Sequence, residues 1–310
     1  LWMLALARFF GGMVSANIST AMAYVTVSTE ESVRAKNIGF IGASVSIGFM
    51  IGPALGGLLG GQDASTASLY LPGMVAGSIS FITGLCALFF LKESLSKENR
   101  SDKNIESNSL IKNWGLIFRR PILPLIIFLG LGMMYVTGTF ETIFPLWTNK
   151  RFSWSPMDIG YCLTYIGLVV TLMQAMVIGK IVPILGEAKV IRISFFGYAL
   201  GLMVMSQAPN WEIMLVGLTL SASSGAAFGT SASSLVSKVA GDKEKGFVLG
   251  VYQSGCWLGR ITGPLTAGAL FSLLDVNAPL YAGIIILIPC IIVVGLISKK
   301  MKQQALHSSI

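Results

Sequence analysis

Charged residues are scarce in this chain. Only 12% of its 310 residues are charged, and 54% are apolar, whereas soluble domains average roughly 25% charged residues. The mean hydropathy of +0.74 points the same way. This composition excludes an ordinary soluble domain and indicates a membrane protein.

The residue patterns that most enzymatic chemistry needs are lacking as well. The sequence contains no HExxH zinc motif, no P-loop, no Asp-rich diphosphate motif and no paired acids within its apolar segments. Its cysteines lie singly in apolar segments, and its one histidine, His307, lies in a polar tail. The sequence therefore predicts a protein that is not an enzyme and that holds no cofactor or metal.

Long apolar runs, in contrast, recur along the whole chain. A helix needs about 20 residues to cross a hydrocarbon core of about 30 Å. Segments of this kind predict nine membrane-spanning helices, at residues 2–27, 37–61, 69–91, 121–148, 158–181, 190–208, 211–236, 246–272 and 278–298. The predicted fold class is all-α, a polytopic helical bundle.

The placement of the 22 Lys and Arg residues explains the net charge of +8. Arg8 and Arg260 fall within predicted spans, Lys150 and Arg151 lie in a loop on one side, and all others lie on the opposite side. Positive charge collects on the cytoplasmic side, so the charge reflects topology and not a nucleic-acid partner. This orientation puts the C-terminus inside and predicts an odd number of spans before residue 1.

A glycine pattern occurs twice at one constant offset. Gly48, Gly52, Pro53 and Gly57 in the second span have as counterparts Gly259, Gly263, Pro264 and Gly268 in the eighth span. Matching second and eighth spans predict a six-helix unit repeated in parallel. Residues 1–91 would then be the last three helices of an N-terminal half, 92–120 a cytoplasmic linker, and 121–310 a complete C-terminal six-helix half.

The first copy of the pattern resembles a known family motif. Its spacing, Gly39-x8-Gly48-x3-Gly52-Pro53-x2-Gly56-Gly57, is similar to the antiporter motif in the fifth helix of the major facilitator superfamily, within the drug:proton antiporters of twelve spans. The stretches "LARFFGG", "GTFETIFPLWT" and "GPLTAGALF" resemble bacterial multidrug and quinolone efflux pumps of the Gram-positive type.

The resemblance implies a fold and a location for this motif. The fold would be a bundle of two six-helix halves in the bacterial cytoplasmic membrane, here without its first three helices. The glycine-rich span would lie between the halves and seal their interface. The alternative is an ordinary packing face of small residues.

Glu141 is the one acid among 14 that lies well inside a predicted span. Desolvation disfavours a charged carboxylate in a membrane, so such a group readily takes up a proton. We predict that Glu141 carries protons, the alternative being a purely structural role. Arg8 lies near the external end of its span, where it either snorkels to the interface or, as the resemblance implies, takes part in proton coupling.

A substrate site is predicted around Glu141. Thr137, Phe144 and Met134 lie one or two helical turns away on the same face, and such side chains beside an acid suit a lipophilic, cationic ligand. Arg260 lies too deep in its span to snorkel fully. Its partner would be Glu141, a carboxylate outside this chain or an anionic substrate.

A stretch of small hydroxyl residues and a tryptophan near a span end are two further features of the sequence. The small hydroxyl residues of "SASSGAAFGTSASS", residues 221–234, either line a polar pathway or pack tightly. Trp147, near the external end of its span, is predicted to anchor the helix at the membrane interface.

These predictions combine into a function. We expect proton-coupled efflux of amphipathic drugs or related small molecules by alternating access, carried out by a monomer whose partners are its substrate, protons and the lipid bilayer. The alternative is a proton-coupled carrier for an anionic metabolite or sugar, which Arg260 favours.

Overall fold

A computed structural model describes residues 2–13, 20–21, 24–25, 28–29, 31–61, 68, 70–91, 122–240 and 245–308. Within these ranges the regular structure is helical, which confirms the predicted fold class. The helices are α1 (Trp2–Met13), α2 (Glu31–Gly60), α3 (Tyr70–Phe90), α4 (Leu123–Phe152), α5 (Pro156–Leu172), α6 (Gly179–Leu185), α7 (Glu187–Gln207), α8 (Trp211–Val239), α9 (Lys245–Leu273) and α10 (Ala278–Ser308). The predicted linker, 92–120, lies outside the described residues.

Several of these helices have the length and composition of membrane spans. In the described ranges, six segments are long and apolar enough to cross a bilayer: Tyr70–Phe90, Leu123–Phe152, Pro156–Leu185, Glu187–Gln207, Trp211–Val239 and Ala278–Ile297. Each of them coincides with a span predicted from the sequence. Helix α9, which packs against α4, runs within one residue of the span predicted at 246–272.

Local sequence signals set the helix ends on the predicted external side. Helix α4 ends where Ser153 takes a left-handed conformation with a φ of 55°. Helix α5 begins with a capping box, in which the Ser155 hydroxyl accepts from the Asp158 backbone N–H and the Asp158 carboxylate accepts from the Ser155 backbone N–H. The Asn210 side chain caps α8 by accepting from the Ile213 N–H at 3.1 Å. These signals fix the external ends of α4, α5 and α8.

The chain between α5 and α6 forms a π-helical turn, Met173–Ile178. A π turn adds a residue to the helical repeat and changes the direction in which the following side chains point. Helix α6 contains Pro183 and ends at Gly186, whose φ of 78° suits glycine. The cytoplasmic part of this span is therefore irregular, and α7 starts directly after it.

The hydrophobic core of the described residues lies between residues 122 and 297. Its most extensive contacts join α4 to α9 and α7 to α8, and α10 packs against both α4 and α7. Fully buried side chains such as Ile126, Leu129 and Met133 line the inner face of α4. Helix α3 has no buried residue, and α2 makes its main contact with α5.

Candidate functional site

An ion pair between α4 and α9 joins the two charged residues that the sequence places deep within spans. The Arg260 guanidinium donates from Nη2 to Oε2 of Glu141. Of the three partners that the sequence left open for Arg260, the structure places Glu141 beside it. Their side chains are 32% exposed for Arg260 and 44% for Glu141, so the pair lies at an accessible surface of the described bundle.

Glycines allow α4 and α9 to approach closely enough for this pair. A Cβ atom on Gly138 would lie 2.9 Å from the carbonyl oxygen of Arg260 and 3.3 Å from its Cα. A Cβ on Gly259 would overlap the carbonyl oxygen of Leu131, and one on Gly263 that of Tyr135. Backbone therefore packs on backbone along both helices, as small residues permit in membranes.

The second copy of the glycine pattern therefore positions Arg260. Gly259 immediately precedes Arg260, and Gly263 lies one turn further along α9. Because both glycines rest on the backbone of α4, they fix the height of Arg260 relative to Glu141. The packing of α9 and the position of its charge are set together.

An exposed aromatic ring lies beside the ion pair. The Arg260 guanidinium lies 5.8 Å from the centre of the Trp257 ring, within the range of a cation–π contact. Trp257 is 60% exposed. Trp257 was not among the residues predicted from the sequence, although a spacing of three residues on one helix would have placed it near Arg260.

The other predicted substrate residues differ in accessibility. Thr137 is half-buried, and its hydroxyl accepts from the Tyr198 hydroxyl at 3.4 Å. Met134 is partly buried against the core. Phe144 is 1% exposed and packs against Phe140, with ring centres 5.0 Å apart. Phe144 therefore does not share the surface that carries Glu141, and its contact with a substrate stays a prediction.

Several hydroxyl residues of α8 lie in helix packing. Ser221, Ser224 and Ser231 are buried, and the Ser221 hydroxyl donates to the Gly217 carbonyl at 2.9 Å. A Cβ on Gly201 or Gly197 of α7 would overlap the Ser221 or the Ser224 hydroxyl oxygen, respectively. Of the two interpretations left open by the sequence, tight packing agrees with these contacts.

The first copy of the glycine pattern forms a different contact. A Cβ on Gly57 would lie 3.0 Å from the Pro156 carbonyl oxygen and 3.2 Å from the Gly160 Cα, and one on Gly160 would lie 2.8 Å from the Pro53 carbonyl oxygen. This pattern therefore packs α2 against α5. Gly48, Gly52 and Gly56 have no described atom within 4 Å of such a Cβ.

Gly39 and Arg8, two further residues predicted from the sequence, both lie in helices. Gly39 lies within α2. Arg8 lies within α1, but its side chain is outside the described residues. Its part in proton coupling stays a prediction.

Trp147 has a different environment from the one predicted. Its side chain is 1% exposed, and its Nε1 donates to Oδ1 of Asn277 at 2.8 Å. The Arg151 guanidinium lies 5.6 Å from the ring centre and donates to the Ala208 carbonyl at 2.9 Å. The prediction of an interfacial anchor is wrong, because the indole ties the external ends of the bundle together from inside.

Metal ligands do not cluster in the part of the chain that the structure describes. There, no group of three or more His, Cys, Asp or Glu side chains is arranged to hold a metal ion.

Fold and site together define a polytopic helical membrane protein with a charge pair between two of its central helices. Comparison with known families identifies the family to which this membrane protein belongs. The model of the Major Facilitator Superfamily matches residues 1–188 and again 152–308, and the chain belongs to this superfamily. The family expected from the glycine pattern is thereby confirmed.

Two similar proteins of known name are bacterial. The chain is 29% identical over 288 residues to multidrug resistance protein 2 of Bacillus subtilis, covering 91% of this chain and 70% of that protein. It is 27% identical over 310 residues to quinolone resistance protein NorA of Staphylococcus aureus, covering 98% of this chain and 76% of that protein. The protein is a multi-pass protein of the bacterial cytoplasmic membrane.

A solved structure has the same fold. The crystal structure of the human organic anion transporter MFSD10 (TETRAN) superposes with a TM-score of 0.67 at 22% sequence identity, covering 94% of this chain and 70% of that one. At this level of identity the similarity concerns the fold.

Proposed function

We propose that the protein is a proton-coupled antiporter that exports amphipathic drugs or related small molecules by alternating access. The observation that carries the proposal is the accessible carboxylate of Glu141 on a membrane-spanning helix, held by Arg260. The relatives named for multidrug and quinolone resistance support the substrate class. Membership of the superfamily supports transport and not enzymatic catalysis.

Glu141 has the properties of a proton carrier. In its charged form it pairs with Arg260, which compensates the carboxylate within the bundle. Protonation removes the negative charge, so the attraction between the two side chains is lost. We propose that this change accompanies the rearrangement of the two halves, with the proton taken up from outside and released to the cytoplasm.

The energies of these steps constrain the cycle. A membrane potential of about 100 mV supplies roughly 2.3 kcal/mol per proton moved inward, which corresponds to roughly a fifty-fold gradient of a neutral substrate. Two unit charges about 4 Å apart attract by about 4 kcal/mol at the effective dielectric of a protein surface. The attraction between the two side chains is therefore of the same order as the energy that one proton supplies, and protonation of Glu141 removes this attraction.

Transport into inverted membrane vesicles tests the proposal. The probes are amphipathic aromatic compounds that carry a positive charge, a negative charge or both. We expect energised vesicles to accumulate at least one of them, and a protonophore to abolish the accumulation. Glu141→Gln should reduce it by about 100-fold, because a neutral amide cannot carry a proton.

Glu212→Gln is the matched control. Glu212 is an exposed acid in the first turn of α8, at the external end, so its neutralisation should leave transport unchanged. The proposal fails if no probe is accumulated by the unmutated protein. It also fails if Glu141→Gln transports with an unchanged dependence on the proton gradient.

A proton-coupled carrier for an anionic metabolite or sugar is the second candidate. The position of Arg260 in the site favours it, since a guanidinium is suited to bind a carboxylate. The direction of proton movement separates the two functions. When a substrate runs down its own gradient in proteoliposomes, an antiporter moves protons the opposite way and a symporter moves them the same way.

A further inference from the structure

The Glu141–Arg260 pair restricts the charge of any ligand that binds between the two side chains. Both partners are partly exposed on the same side of the α4–α9 contact, so a ligand can reach either of them. In the part of the chain that the structure describes, the other ion-paired acid, Glu187, contacts Lys238 in the cytoplasmic part of the bundle. Arg260 thus depends on Glu141 alone among the described acids.

Each class of ligand leaves a different charge balance. A ligand with only a positive group would occupy Glu141 and leave the Arg260 guanidinium uncompensated, which is costly in a membrane. A ligand with only a negative group would occupy Arg260 and leave Glu141 uncompensated unless a proton binds with it. A ligand with both groups replaces one internal ion pair by two external ones, and every charge keeps a partner.

We propose that Arg260 makes the site selective for zwitterionic aromatic amphipaths. The cationic group of the substrate contacts Glu141, its carboxylate contacts Arg260, and its aromatic part packs against the exposed Trp257 ring. The inference rests on the proposed export function and specifies its substrate class. It assigns to Arg260 the role of an internal cation that keeps lone cations away from Glu141.

This assignment agrees with antiport. The cationic group of the substrate and the proton compete for the same carboxylate, so the site holds one or the other. When Glu141 is protonated, Arg260 keeps its positive charge, which repels the cationic end of the substrate. A lone anion, in contrast, would bind together with the proton, and the two would move in the same direction.

The backbone contact of Arg260 supports a defined charge geometry. Its backbone lies against Gly138, and its guanidinium lies near the Trp257 ring at 5.8 Å. A guanidinium whose backbone is fixed and which keeps its cation–π contact can remain in place when Glu141 turns to another partner. The structure therefore offers a fixed cation and a carboxylate that can exchange its partner.

A series of three compounds with one aromatic skeleton tests the inference. 2-Naphthylalanine carries both charges, its methyl ester carries the positive charge alone, and its N-acetyl derivative carries the negative charge alone. Initial rates of proton-driven uptake are measured in inverted vesicles, and the rates in vesicles without the protein are subtracted. We expect the zwitterion to be transported roughly tenfold faster than the ester.

Substitution of Arg260 should shift this preference. In Arg260→Gln the ester no longer leaves a guanidinium unpaired, so the ratio of zwitterion to ester should fall by roughly tenfold or more. Arg260→Lys keeps a positive charge and should retain the preference. Lys150→Gln, which removes a positive charge from the exposed external end of α4, is the control and should leave the ratio unchanged.

A charge-reversed variant guards against loss of folding. Glu141→Arg combined with Arg260→Glu keeps an ion pair between α4 and α9, so it should assemble and bind the zwitterion even if Arg260→Gln does not. Binding is measured as quenching of the naphthyl fluorescence in detergent. Binding of the zwitterion in preference to the ester by this variant supports the inference, and equal binding of the two compounds contradicts it.

Other outcomes overturn the inference in distinguishable ways. If the ester is exported as fast as the zwitterion and Arg260→Gln does not change the ratio, the charge selectivity is wrong while the export function stands. If the N-acetyl derivative is the best substrate and moves in the same direction as protons, both the inference and antiport are wrong. If none of the three compounds is transported although another amphipath is exported, the inference alone fails.

Discussion

Gly138→Ala should disturb the site without changing any charge. The added Cβ would lie 2.9 Å from the Arg260 carbonyl oxygen and 3.3 Å from both the Arg260 Cα and the Pro264 Cδ. Ordinary carbon contacts begin near 3.5 Å, so α4 and α9 must separate by roughly 0.5 Å. Because the atoms that must move are mainly backbone, a rotamer change cannot relieve the contact.

The expected magnitudes follow from this displacement. Overpacking costs about 1–3 kcal/mol, whereas replacing a helical glycine by alanine returns up to about 1 kcal/mol. The net loss of stability is therefore about 0–3 kcal/mol. A misplacement of about 1 Å in a functional site can cost roughly a hundredfold in rate, so half that distance should reduce transport by roughly tenfold.

Two measurements check the prediction. Thermal unfolding of the purified protein in detergent reports stability, and initial rates in inverted vesicles report transport. Gly229→Ala is the matched control, because a Cβ on this glycine of α8 has no described atom within 4 Å. If Gly138→Ala and Gly229→Ala are equally stable and equally active, the backbones of α4 and α9 are not in close contact at Gly138.

Two other contacts lead to predictions of stability. Gly57→Ala places a Cβ 3.0 Å from the Pro156 carbonyl oxygen and should lower the unfolding temperature by about 2–4 °C. Gly60→Ala is the control and should not lower it, because a Cβ on Gly60 has no described atom within 4 Å. Equal effects of the two substitutions would contradict the α2–α5 contact. Trp147→Phe removes the 2.8 Å hydrogen bond to Asn277 and should cost about 1–3 kcal/mol in a urea titration. An unchanged transition midpoint would mean that water replaces the indole at no cost.

The positions of the membrane spans could be predicted well because the bilayer imposes a length. The span predicted at 246–272 is the helix Lys245–Leu273, and the one predicted at 211–236 is Trp211–Val239. Departures occur where the chain leaves the apolar region. Helix Ala278–Ser308 continues past the predicted residue 298 into a polar segment, where hydropathy carries no signal for the end of a helix.

The ion pair was partly predictable. A guanidinium too deep to reach the interface needs a partner, and Glu141 is the one acid well inside a predicted span, so it was among the options for Arg260. The faces of α4 were harder to assign. Phe144 lies three residues from Glu141 and 60° away around the helix, and the boundary between core and surface falls between them.

Some features had no sequence signal. The π-helical turn Met173–Ile178 shifts the register of its span, and its residues resemble any apolar helix. Trp147 fits an interfacial anchor by position, but Asn277, which directly precedes α10, supplies a partner for its indole. Tertiary contacts of this kind decide the environment of a residue after its place along the helix is known.

The two copies of the glycine pattern show what a repeat can and cannot predict. Gly259 and Gly263 rest on α4, within the C-terminal helices, whereas Gly57 rests on α5. The repeat correctly indicates that both helices pack through glycines. It does not indicate the partner, because different faces of the same pattern are occupied in α2 and α9.

A comparison of the two copies also shows that the glycine packing does not require the charge of Arg260. At the constant offset between the copies, the counterpart of Arg260 is Phe49, while Gly259 and Pro264 have Gly48 and Pro53 as counterparts. A helix with this glycine pattern therefore forms with an apolar residue at the position of the guanidinium. Loss of the charge in Arg260→Gln should leave the α4–α9 contact in place, because the glycines and not the arginine hold it. A change in charge selectivity without a change in unfolding temperature would then report on ligand recognition, and a parallel loss of both would show that the arginine is part of the packing.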